Sequence, residues 1–420
     1  MKSIFVRELR LALVVAGATV GLGACSGILD VDFPGRIPAE QVNDPSLAAV
    51  LARSVVSDLE CAYNNYMAGS SVHSDEYETA NSNVPLANWG ERGINADEDD
   101  YVIGACESDL SNYGMHTPLQ TARFQANDVF ARLSGWTDAQ VPGRQKLMAQ
   151  VKAYGAYAIT FMGETFCSIA FDGGAAQTPA ATLAQAETKF TEALQLATTA
   201  ADPDLQNLAR VGLARVQLDL KKYAAAAATA ALVPADYVKL ADRGTESTRR
   251  QNKVFLLSTS LGAFTVDTSF RNTGDPRMLV ANANKGSFNP TVPLWITTKY
   301  ANLGSPEVLA SGKEARLIRA EGLAETGDIA GALAILNAGR ATAGLAPLTA
   351  TTTAQAVATV LSERRVLLAF EGGHRLNDIL RRQIPWKGAF GSTRTVNQWT
   401  SRAYGATICW PNPTKESNGA

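Results

Sequence analysis

The chain has 420 residues and carries 38 Lys and Arg against 40 Asp and Glu, a formal charge of −2 at neutral pH. That balance excludes the basic footprint of a nucleic-acid-binding surface, and after the first 25 residues no apolar run is long enough for a transmembrane helix. The length suits one large or two ordinary domains with a substantial hydrophobic core.

Residues 1–24 read as a signal peptide rather than as part of a fold. Lys2, Arg7 and Arg10 make a basic start, and an apolar run follows from Leu11 to Leu22. The run ends in Leu22-Gly23-Ala24-Cys25, the aliphatic–small–small–Cys pattern of a bacterial lipobox. Small residues admit the peptidase, and the Cys25 thiol accepts a diacylglycerol, with an N-acyl lipid added after cleavage. Several acyl chains at ~0.8 kcal/mol per buried methylene give stable membrane anchoring. Ser26 stands where an Asp would favour retention at the inner membrane, so the expected place is the outer membrane, facing outwards.

Residues 26–45 are polar and contain Pro34 and Pro38, as in an extended tether. Asn43-Asp44-Pro45-Ser46 has the chemistry of a helix start, and Leu47 to Tyr66 is helical in pattern. The stretch 69–118, rich in Asn, Asp, Glu, Gly, Tyr and Ser, reads as a long ordered loop region. Helical patterning returns at 119–133, 142–166 and Ala181 to Thr199. Residues 207–234 resemble a tetratricopeptide helical hairpin: Gly212 and Ala214 permit close approach, Lys221-Lys222-Tyr223 turns, and an Ala-rich helix ends at Pro234. A second such unit covers 306–344, with its turn at Thr326-Gly327-Asp328. Between them, 241–305 is irregular, with short strands expected near 253–257 and 292–297. The tail 383–420 is irregular again, with Trp386, Trp399, Tyr404 and Trp410.

Five cysteines are present. With Cys25 on lipid, Cys61, Cys106, Cys167 and Cys409 remain, an even number for an oxidising compartment. Three pairings are open. Cys61–Cys106 with Cys167–Cys409 is favoured, because the first two share one polar stretch; free buried thiols are the alternative.

Three C-terminal stretches resemble the SusD/RagB family of nutrient-binding outer-membrane lipoproteins. They are KEARLIRAEGLAE at 313–325, LAILNAGRATAGL at 333–345 and ERRVLLAFEGGHRLNDILRR at 363–382. The chain departs from the family pattern in having Gly372-Gly373 for one glycine and Leu376 near a common aromatic. The resemblance implies a mostly α fold of degenerate tetratricopeptide-like hairpins with long irregular insertions, a SusD-like α/α superhelix. It would fill 25–420, with the family signature at about 255–415. It further implies a SusC-type TonB-dependent channel as partner, an oligosaccharide or peptide as ligand, and no catalysis.

The charged residues of the signature, Glu363, Glu371, His374, Arg375, Asp378 and Arg381, are expected to form ion pairs and helix-end contacts across two helices joined at the glycine pair. Sugar faces are met by flat aromatics and sugar hydroxyls by amides and charged groups. The candidate ligand-binding residues are therefore the loop aromatics Trp89, Tyr101, Tyr113, Trp295 and Tyr300, with Asn81, Asn83, Asn88 and Arg92 as polar companions. Trp89 stands first, because Asn88 and Gly90 suggest an exposed turn. Asp97-Glu98-Asp99-Asp100 has the donors for Ca2+ without the spacing of an EF-hand. His73, His116 and His374 are too scattered for a metal centre, so no metal or other cofactor is expected. Two other classes share parts of the pattern: a repeat-type scaffold lipoprotein of envelope assembly, and a surface hydrolase. The second lacks Gly-x-Ser-x-Gly, His-Glu-x-x-His and a phosphate loop. Cys25→Ser is expected to move the protein out of the membrane fraction; its retention there would refute the anchor.

Overall fold

The computed structural model describes residues 41–81, 83–97, 102, 114–393 and 403–417. The expected signal peptide, Cys25, the expected tether as far as residue 40, Tyr101, Tyr113, Cys106 and most of the acidic run lie outside them. The chain divides into two units at Leu47. In the first, the short 3-10 helix Pro45–Leu47 starts where Asp44 Oδ1 accepts the Ser46 N–H at 2.8 Å, as the Asn-Asp-Pro-Ser sequence suggests.

The second unit is mostly helical. In chain order it contains α1 (Ala48–His73), β1 (Tyr77–Thr79), α2 (Val84–Gly90), α3 (His116–Gly135), α4 (Arg144–Thr165), α5 (Pro179–Thr199), α6 (Pro203–Asp219), α7 (Tyr223–Ala230) and β2 (Val238–Ala241). After these come β3 (Phe264–Val266), β4 (Val280–Gly286), β5 (Pro293–Thr297), β6 (Glu307–Ser311), α8 (Gly312–Glu325), α9 (Ile329–Thr342), α10 (Thr353–Leu367) and α11 (His374–Arg382). No described helix is long and apolar enough to cross a membrane.

Consecutive helices pack as hairpins: α3 on α4, α4 on α5, α5 on α6, α6 on α7, α7 on α8, and α8 on α9 and α10. This is the superhelix of degenerate repeats expected from the sequence. Gly212 shows how the close approach is made. A Cβ there would lie 2.2 Å from the Phe190 ring, so only glycine lets α6 seat on that side chain. Tyr157 closes the same layer edge-on to Phe190 and donates its hydroxyl to Leu208 O at 3.1 Å. The turn between α8 and α9 uses Gly327 at φ 89°, and Asp328 caps α9 through the Gly331 N–H. Around it, Leu317, Ala320, Ala324, Leu336, Ala356 and Val360 form one buried cluster.

Some expectations from the sequence fail. Helix α1 continues past Tyr66 to His73, and the supposed loop region also holds β1 and α2. The polar residues at the end of α1 look like loop but are buried with partners: Ser70 Oγ donates to Tyr66 O, and the His73 ring nitrogens lie 3.1 Å from Trp89 O and 3.4 Å from Ile408 O. The expected strand at 253–257 is instead a short helix, Lys253–Phe255, running into a π-helical turn, Leu256–Ser260. Asn252 causes this by accepting the Phe255 N–H at 2.8 Å as a cap. The strand expected at 292–297 is β5. It pairs antiparallel with β4, as β1 does with β3 and β2 with β6. Helix α7 stops at Ala230, short of Pro234.

The signature residues form a buried charge network. Glu321, fully buried, accepts from Arg381 Nη1 at 2.5 Å and from Arg382, and lies 3.7 Å from Arg364. Asp378 accepts from Arg364 Nε at 2.9 Å and Arg381 Nη2 at 2.6 Å. Burial raises the Asp378 pKa, but the two arginines outweigh it and hold the carboxyl at about 2. Arg215 makes a bidentate pair with Glu164 and donates to Gly372 O. Glu371 binds the ammonium groups of Lys299 and Lys313 at 2.8 and 2.9 Å, Glu363 binds Arg277 and Arg340, and Arg375 binds Asp75. These ion pairs match the structural role read from the signature.

Glu371→Ala strands two lysines around a buried site, so it should lower stability by about 3 kcal/mol and leave the ligand affinity of surviving protein unchanged. Lost binding at unchanged melting temperature would assign Glu371 to a site instead. Glu314 behaves oppositely: burial pushes its pKa up to about 7, against the pull of Arg215 and Arg364. A raised carboxyl stabilises the fold below its unfolded pKa of ~4.3 and loses that contribution as pH rises to about 7. Glu314→Gln should flatten the fall in urea midpoint between about pH 4.5 and 7 and equal or exceed the parent at pH 8. An unaltered slope would show that Glu314 is not the titrating group.

Candidate functional site

The expected aromatics are mostly not at the surface. Trp89 is 2% exposed. It lies in α2, which starts at the Asn83 cap, and not on an exposed turn. Gly90 serves packing, since a Cβ there would meet Thr79 Oγ1 at 2.3 Å. Tyr300 is also buried and donates its hydroxyl to Phe370 O at 2.8 Å. A ligand cannot stack on either ring as placed. Asn81 is buried and accepts the Asn83 N–H, and Asn88 accepts the Gly93 N–H through its carbonyl. Arg92 is a clamp on the C-terminal segment. It donates to Lys387 O, Gly388 O and Gly405 O, and its guanidinium lies over the rings of Trp386 and Tyr404.

Trp295 is the one expected aromatic that stays half-buried among those described. It is held from β3, where Thr265 Oγ1 accepts the Trp295 N–H at 2.8 Å and donates to Pro293 O. The Arg271 guanidinium stands 5.5 Å from its ring centroid. Burial lowers the Arg271 pKa while the charge of Glu78 raises it, which places that carboxylate within electrostatic reach. Glu78 and Asp267 both accept from the Lys387 ammonium, Glu78 at 2.5 Å. The residue before Lys387 is half-buried Trp386, edge-on to His73 with centroids 5.5 Å apart.

A connected strip results: Trp295, Arg271, Glu78 and Asp267, Lys387, Trp386, Arg92. It offers two partly exposed indoles with the cations Arg271 and Lys387 between them, a combination suited to a ring with an apolar face and a hydroxylated rim, while Glu78 and Asp267 are buried and hold the Lys387 ammonium in place. Of these residues, the sequence points to Trp295 and Arg92 and marks Trp386 only as a tail aromatic. Glu78, Asp267, Arg271 and Lys387 carry no local signal, because Lys387 meets its partners across 309 and 120 residues.

The C-terminal segment in this strip is fastened by Cys167–Cys409, one of the two pairs favoured from the sequence. Cys61 is also disulfide-bonded; its expected partner Cys106 is outside the described residues. Burial lowers the pKa of His73 and of His116 to about 4 and that of His374 well below its ordinary value. Among the described residues no three His, Cys, Asp or Glu are grouped to hold a metal ion.

The architecture is that of SusD-like proteins. Superposition with a SusD homologue of Bacteroides thetaiotaomicron covers 92% of this chain and 98% of that one, with a TM-score of 0.69 at 15% identity. A SusD-like carbohydrate-binding protein of Bacteroides vulgatus gives 0.61 at 17% identity over 84% and 86%. A laminarin-binding SusD-like protein gives 0.62 at 16% identity over 88% and 97%. No curated protein sequence matches the chain. Residues 314–417 match the model of the SusD family. That match covers about a quarter of the chain, at its C-terminal end, and the likeness of fold extends over most of it.

Proposed function

We propose that the protein is a lipid-anchored outer-membrane binding protein that captures an oligosaccharide on the Trp295–Trp386 strip and passes it to a SusC-type TonB-dependent channel. The carrying observation is the strip: two half-buried indoles with Arg271 and Lys387 between them, the ammonium held by buried Glu78 and Asp267, on a scaffold whose other large aromatics among the described residues are mainly packed inside. The laminarin-binding and carbohydrate-binding relatives share the fold. The lipobox at Cys25 supports the anchor. Glu78 and Asp267 favour binding over hydrolysis. Both contact one ammonium, an ion-pair clamp rather than a general acid opposite an attacking water.

Titration of the purified protein with a glycan panel including a β-glucan tests the ligand. Trp295→Ala should weaken binding by about 3- to 10-fold, the value of one aromatic stacking contact, with melting temperature little changed. Equal affinity in Trp295→Ala and Trp386→Ala would remove the strip as the site. Purification from the native envelope through a C-terminal tag tests the partner: a large TonB-dependent β-barrel should be recovered in near-equal amount. Recovery of assembly factors alone would favour an envelope scaffold.

A further inference from the structure

A cavity of about 370 Å3 opens among the end of α4, the start of α5, the end of α6 and α11. Phe166, Leu183 and Leu380 give it an apolar wall, and the Cys167–Cys409 disulfide lies beside them. Its polar lining consists of Asp219, Asn377, Lys221, Glu164 and Arg381. The last two are occupied. Both Glu164 oxygens accept from Arg215, and Arg381 donates to Glu321 and Asp378.

The charge network behind this cavity is out of balance. Four guanidiniums, Arg215, Arg364, Arg381 and Arg382, face six carboxyls: Glu164, Glu314, Glu321, Glu325, Asp219 and Asp378. His374, next to Glu314, adds no charge near neutrality, because burial and the neighbouring arginines push its pKa far down. Carboxyls exceed guanidiniums by two, and two are held only at long range: Glu314 at 3.6 Å from Arg215 and Asp219 at 3.8 Å from Arg381. Glu314 and Asp219 each keep one buried oxygen, Oε1 and Oδ2, without a hydrogen-bond partner. Asp219 is the one that lines the cavity, with its side chain 3% exposed. Asn377 Nδ2 donates to Asp219 Oδ1 at 3.0 Å, which leaves Asn377 Oδ1 as an acceptor.

We propose that this cavity binds a small organic ammonium ion, whose N–H groups donate to Asp219 Oδ2 and Asn377 Oδ1 and whose apolar body packs on Phe166, Leu183 and Leu380. The site is independent of the glycan strip. The ammonium supplies a donor for Asp219 Oδ2, since Arg381 Nε stands 3.8 Å away on the side of Oδ1. Lys221, exposed in the cavity wall and without an ion-pair partner among the described residues, fits a ligand that also carries a carboxylate. A free amine and an apolar amino acid are thus two sources of the same ammonium chemistry. The charged groups facing Asp219 are Glu164 on α4, Arg381 on α11, Arg215 on its own helix and Lys221 on the following turn. Burial, then the charge of Glu164, raises the Asp219 pKa well above the usual carboxylate range, so cation binding should release a proton.

Calorimetry of the purified protein with 3-methylbutylammonium, leucine and 3-methylbutan-1-ol, in two buffers of different ionisation heat, tests this. Saturable binding of the amine with proton release is expected, and little binding of the alcohol. Asp219→Asn should weaken it by about 10- to 100-fold, the range for a charged hydrogen bond. Ala180→Trp, which fills the cavity without touching the charge network, should abolish it. Tighter binding of leucine, lost in Lys221→Ala, would support the site with an amino acid as source. Equal binding of alcohol and amine, absence of saturable binding, or unchanged affinity in Asp219→Asn at native melting temperature would overturn it.

Discussion

Glu321 is the constraint on which the rest of the structure depends. It is fully buried in α8 and meets guanidiniums from α10 and α11. Burial raises its pKa, but Arg381 and Arg364 overcome that and hold it below the ordinary carboxylate value. A buried carboxylate is stable only with its partners in place, so α8, α10 and α11 must be positioned together. Helix α11 also packs on α1 and α4. The network thus joins the C-terminal hairpins to the first helices of the unit, and it explains why the charged family signature is structural.

The candidate strip depends on the same joining. Trp295 is presented by a strand, Trp386 by the segment after α11, and Glu78 by the strand after α1. None of these elements alone makes a surface for a ring. Arg92 and Lys387 hold the late segment against the early one through backbone carbonyls and carboxylates. Binding geometry and global packing are therefore coupled, and substitutions in the clamp should be judged by stability before affinity.

The helical hairpins were legible in the sequence because their signals are local. Gly327 and the capping Asp328 act within a few residues of the turn they make, and Gly212 lets two successive helices meet at Phe190. The glycine pair shows the same in a departure from the family pattern: Gly372 and Gly373 both take positive φ, 56° and 69°, and the Tyr66 ring fills the space where a Cβ on Gly373 would be. Leu376, the other departure, is fully buried. The end of α1 was not legible, because Gly69, Ser70, Ser71 and His73 have loop chemistry and the partners of the His73 ring, at Trp89 O and Ile408 O, are distant. The site failed for the related reason that exposure of an aromatic is decided by what packs over it. Trp89 has polar and glycine neighbours in sequence and a closed environment in space.

The Cys167–Cys409 bond spans 242 residues of chain. When the chain emerges from its amino terminus, Cys167 becomes available long before Cys409 exists. Earlier cysteines are by then exposed in the same growing chain, so a fast oxidant acting alone would join the wrong thiols. Correct pairing thus calls for a catalyst that breaks and remakes disulfides, or for helices α1 to α4 to fold early enough to keep Cys167 out of reach. Maturation of this protein is then a question of timing during synthesis as much as of final stability.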